Sequence, residues 1–144
     1  MEFGNPDKVT TPAQCAQMFC STIHKLFTYA VKNTTDIECM TTLDGMRAKF
    51  RVAYGSMYSA EQIAERVGPI LLKWEKVICD YDTDFFMQTD LSILLRDADV
   101  SSGAIAPDLR ARFRNALSDK TQTVILDALN LMLILYAKYC AARQ

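Results

Sequence analysis

The residues with most chemistry to offer are few and scattered. His24 is the only histidine, and Cys20 stands four positions before it, one turn away if the segment is helical. A thiol and an imidazole on one helix face could form a nucleophile–base pair. Such a pair also needs a crevice and oxyanion donors, and nothing nearby in the sequence supplies them. Asp80, Asp82 and Asp84 begin like a calcium-binding loop, but Phe85 occupies the turn position that requires glycine. Leu91 sits where the bidentate glutamate should be. Cys15, Cys20, Cys39, Cys79 and Cys140 contain no C-x-x-C and no zinc-ligand spacing. There is no glycine-rich phosphate loop and no H-E-x-x-H. The expectation is a non-enzymatic protein with no cofactor and no bound metal.

Basic residues do not point to nucleic acid. Arg110, Arg112 and Arg114 lie on a short segment before a longer helix, loosely like a helix-turn-helix. The helix that would read bases is greasy, however, and the formal net charge is −1. Charge is segregated along the chain instead. Residues 80–108 hold seven aspartates against Arg96, a balance of −6, whereas residues 109–144 hold six bases against two acids, a balance of +4. One face of such a molecule could pair with the opposite face of a neighbour.

The elements that must position these groups read as helices throughout. Half of the residues are hydrophobic and only five are glycine and four proline, which is the composition of a packed globular domain. Met1 to Thr10 is polar and reads as a flexible leader, without the apolar core of a signal peptide. Residues 11–144 read as a single helical domain. Thr11-Pro12-Ala13-Gln14, Thr35-Asp36-Ile37-Glu38 and Ser59-Ala60-Glu61-Gln62 are three helix-start signatures of the capping-box type. Behind the first, Cys15, Met18, Phe19, Thr22, Ile23, Leu26, Phe27 and Ala30 recur at helical spacing. Behind the second come Ile37, Met40, Leu43, Met46, Phe50, Ala53, Tyr54 and Met57. Behind the third come Ile63, Val67, Ile70, Leu71, Trp74, Val77, Ile78 and Tyr81. Gly68-Pro69 should kink or divide that third helix. Val100 to Ala106, with Ser101-Ser102-Gly103, marks a loop, Pro107 opens a short helix, and Ser118 or Asp119 caps the last one.

That last helix, to about residue 142, is apolar nearly all round. Its most apolar run, Val124 to Ala137, is 14 residues long and carries Asp127 and Asn130, short of the roughly 20 residues a membrane span takes. It is expected to lie in the core, with a second side available to another molecule. The fold class expected is all-α, a compact helical bundle of about five to seven helices with a buried apolar C-terminal helix.

These features suit protein–protein contact: a small helical subunit of a larger complex, such as a viral structural component. Arg110, Arg114, Leu133, Tyr136 and Tyr139 are the candidate partner-contact residues. Five unclustered cysteines and the polar start suggest free thiols in a reducing intracellular compartment, cytoplasm or nucleus, or inside a particle assembled there. Asn33-Thr34-Thr35 then serves as a turn and cap rather than a glycosylation site. The alternative is a groove-bearing regulator that captures a partner's amphipathic helix, in the style of Bcl-2 proteins. The motifs of that family are not matched. Leu94, Ala98 and Asp99 have the right order, but Asp97 stands where an apolar residue belongs, and no N-W-G-R segment exists.

Overall fold

The structure, a computed structural model, describes residues 3–82, 112, 113 and 115–144. Among these are five α-helices and no named strand: α1 (Pro12–Lys32), α2 (Ile37–Val52), α3 (Ala60–Lys73), α4 (Glu75–Cys79) and α5 (Asp119–Ala142). The all-α class follows, with the apolar C-terminal helix at the centre. The loop expected over 100–106, the start at Pro107, and Asp84, Arg110 and Arg114 lie outside the described residues.

Local chemistry sets the helix starts. Thr11 Oγ1 accepts from the Gln14 N–H at 3.1 Å while Gln14 Oε1 accepts from the Thr11 N–H, and Pro12 follows at the first helical position. Ser59 and Gln62 make the same reciprocal pair for α3. Each cap satisfies N–H groups that the first turn leaves without partners. Ser118 rather than Asp119 caps α5, accepting from the Thr121 N–H at 3.1 Å. At α2 the cap is Asp36, one residue later than a Thr35-based box, and it accepts from the N–H groups of Glu38 and Cys39. Thr35 is engaged elsewhere: its N–H and hydroxyl both donate to the Ala116 carbonyl. Arg112 closes this junction by pairing with Asp36 at 2.8 Å and Glu38 at 2.7 Å.

Three expectations need correction. Gly68-Pro69 does not divide α3, which runs unbroken to Lys73; the break falls at Trp74, before α4. Pro69 is exposed, so the carbonyl that loses its helical partner can meet water. Gly68 is there for another reason. A Cβ on it would lie 2.3 Å from Tyr136 Cδ1, so α3 and α5 approach closely only because the side chain is missing. The leader is also not loose where described: Phe3 and Val9 belong to the core, and Lys25 donates to the Phe3 carbonyl at 3.3 Å.

The third correction concerns α2. Its inner face, with Cys39, Met46 and Phe50, packs on α1. Ile37, Met40 and Met57, expected on that face, are exposed. Beyond Val52 the chain widens into a π-helical turn (Ala53–Met57), closed by the Tyr58 N–H on the Ala53 carbonyl at 2.8 Å. Helix α5 lies against α1, α3 and α4, and its buried residues run from Thr121 to Tyr139.

Candidate interaction face and cleft

Where α1 meets the end of α2, Cys20, Ser21 and His24 face Phe50 and Arg51, with Tyr54 and Gly55 of the π turn completing a cleft of about 380 Å³. Cys20 and Phe50 are fully buried and make its depth; Ser21 and His24 are half-buried and Arg51 is exposed, so they make its mouth. The widened turn sets this shape, because it carries Tyr54 and Gly55 away from the regular helical path.

The cleft lacks an activated nucleophile. Cys20 Sγ donates to the Ala60 carbonyl at 3.7 Å, and burial pushes the thiol up to about 12. Burial, followed by the charges of Arg51 and Arg47, pulls the His24 imidazole below its ordinary value. Thiol and imidazole are therefore both neutral at pH 7, the opposite of the thiolate–imidazolium pair that cysteine catalysis uses. His24 makes no hydrogen bond among the described residues, so nothing orients it as a base.

This has a measurable consequence. Cys79 is exposed, Cys140 half-buried, and Cys15, Cys20 and Cys39 buried. With a disulfide reagent at pH 8, Cys79 should react first and Cys140 next. The other three should react only through unfolding, slower by about a thousandfold or more. Rapid labelling of Cys20 in the folded protein, located by peptide mass mapping, would reverse this reading of the cleft.

The contact residues expected from sequence fare differently. Leu133 is 8% and Tyr139 1% exposed, so both are enclosed within one copy of the chain. The Tyr139 hydroxyl donates to Glu65 Oε1 at 2.7 Å, and Arg143 pairs with the same carboxylate while lying over the Tyr139 ring. Tyr136 is half-buried, on Gly68 and beside Tyr139, with ring centroids 6.4 Å apart. Of the large apolar side chains on this stretch of α5, Ile134 is the one that faces water, at 49%. By length and composition α5 could cross a membrane, yet half of its most apolar stretch is buried against the rest of the protein.

Exposed apolar surface sits on α2 instead. Ile37, Met40, Asp44, Ala48 and Val52 follow one another at spacings of three and four and are all exposed. They form one stripe, opposite the face that packs on α1. Asp44 on it pairs with Arg47, and exposed Arg51 falls on the same face, between Met40 and Asp44 around the helix. Sequence reasoning missed both the stripe and the cleft. The available signals were the apolar residues at 48 and 52, out of phase with Met46 and Phe50, and Gly55-Ser56 ahead of the third capping box.

Among the described residues no group of three or more His, Cys, Asp or Glu could hold a metal ion. Comparison of this chain with family models, curated proteins and solved structures found no match.

Proposed function

We propose that this chain is a non-enzymatic assembly protein, a small helical subunit that associates with further copies of itself through the outer stripe of α2. One observation carries this reading: α2 is apolar on two opposite faces, and the second, with Ile37 73% and Val52 59% exposed, has no cover among the described residues. A helix of that kind gains by burying its other side against a neighbour, and isologous pairing of one patch with itself is the commonest route. Single exposed apolar residues are ordinary on any surface; a row of four along one outer helix is less so. The five free thiols suit a reducing intracellular setting.

The groove-bearing alternative has the cleft in its favour, but size counts against it. A captured amphipathic helix presents anchors over two or more turns, and a cleft with seven lining residues takes one side chain or one small molecule.

The test is light scattering across a concentration series on the wild type and on Ile37→Glu/Val52→Lys. Each substitution suits the end of the helix it occupies, an acid near the N-terminus and a base near the C-terminus, so α2 should persist. The wild type should form one fixed oligomer and the double variant a folded monomer with unchanged circular dichroism. A wild type that stays monomeric up to about 0.1 mM would reject the proposal.

A further inference from the structure

We propose that the cleft between α1 and the π turn is a binding site for a small amphiphilic carboxylate, an acyl or aryl chain ending in one carboxyl group. This inference stands apart from the assembly reading, because Ile37, Met40, Asp44, Ala48 and Val52 take no part in lining the cleft.

Its volume, about 380 Å³, falls within the roughly 300–1,000 Å³ of small-molecule sites. Its depth is mostly apolar, lined by Phe50, Tyr54 and a Cys20 thiol that stays protonated. An alkyl or aryl body would find dispersion contacts there. The mouth carries the Arg51 guanidinium. Arg47 is neutralised by Asp44 and also donates to Thr28 Oγ1 at 3.3 Å, whereas Arg51 makes no ion pair among the described residues. A guanidinium fork beside an apolar slot matches a carboxylate, which it can hold through two parallel N–H···O bonds. Neutral His24 beside it can donate a further hydrogen bond without adding charge. One guanidinium is scant compensation for a doubly charged phosphate, and it repels a cationic amphiphile.

Gly55 offers a way to close the site without harming the fold. A Cβ there meets nothing within 4 Å, and its backbone has an ordinary φ. A side chain grown at position 55 would therefore enter open space at the mouth.

The experiment is calorimetric titration of the full chain with decanoate, decanol and decyltrimethylammonium, all below their micellar concentrations. Decanoate should bind one per chain, decanol about tenfold more weakly, and the cation not measurably. Gly55→Leu should abolish decanoate binding while leaving circular dichroism and Tm unchanged. Arg51→Gln should bring decanoate down to the level of decanol. Decanol binding as tightly as decanoate, an unchanged decanoate affinity in Gly55→Leu, or no saturable decanoate binding up to about 1 mM would each overturn the proposal. Ile37→Glu/Val52→Lys should bind decanoate like the wild type, so failure of the assembly proposal would leave this one standing.

Discussion

Leu135→Glu is expected to unfold the protein, while Ile134→Glu, one residue earlier on the same helix, is expected to leave it folded. Leu135 is 0% exposed, and Leu126 and Tyr139 share its burial along α5. Replacing it removes about 2–3 kcal/mol of apolar burial. The new carboxyl group must also stay neutral or be charged away from water. Full burial raises a glutamate by about 3 pKa units or more, which at neutral pH costs about 4 kcal/mol. The total is comparable with the whole stability of a domain, about 5–15 kcal/mol. The ionisation part has a definite sign. Because the folded-state pKa is raised, that part of the deficit is absent below the unfolded value, near 4.3, and grows as the pH rises above it. Relative to the wild type, Leu135→Glu should therefore recover some stability between pH 7 and pH 4. Circular dichroism with urea titration at both pH values checks this, and Leu133→Glu should follow Leu135→Glu. A folded Leu135→Glu that merely changed its oligomeric state would place α5 at an interface and remove the central helix from the core.

Gly68→Ala is expected to destabilise the protein by about 1–3 kcal/mol, although alanine is the better helix former. The added methyl would lie 2.3 to 2.5 Å from three ring carbons of Tyr136. Carbon atoms in comfortable contact sit about 3.5–4.0 Å apart, so more than 1 Å must be found. The ring cannot simply swing away, because it lies beside Tyr139, which is enclosed and bonded to Glu65. Either α3 and α5 separate or the tyrosine pair repacks. A double-mutant cycle isolates the cause. In a Tyr136→Ala background the ring is gone, and Gly68→Ala should become neutral or stabilise by up to about 1 kcal/mol from helix propensity. If thermal unfolding shows Gly68→Ala raising Tm in the wild-type background, the close approach of the two helices is not as described.

Both expectations rest on contacts between residues far apart in the chain, and these are the ones that sequence patterns conveyed least. The second helix shows how the pattern misled. Reading Ile37, Met40, Leu43 and Met46 as one stripe takes three successive steps of three residues, and each step turns about 60° short of a full circuit. By Met46 the path has crossed to the opposite side of the helix, so Ile37 and Met40 cannot share a face with Met46 and Phe50. Counting in mixed steps of three and four keeps Ile37 with Met40, Ala48 and Val52, which is the exposed stripe. For the fifth helix the pattern was uninformative in another way. With apolar residues all round, composition alone leaves open which sides a neighbour covers, and the cover comes from α1, α3 and α4.

The amino-acid sequence determined the all-α class and the helix starts at Thr11 and Ser59, and narrowed the last to Ser118 or Asp119. Those features depend on interactions within a single turn, between a side-chain oxygen and an N–H group three residues on, and residues that close carry their own geometry. Tertiary structure decided which apolar face of α2 is covered, that α5 is wrapped within one copy, why position 68 must lack a side chain, and that Cys20, His24 and Arg51 meet Phe50 at a cleft. Each of these turns on whether a distant segment arrives to exclude water, and no local spacing encodes that arrival.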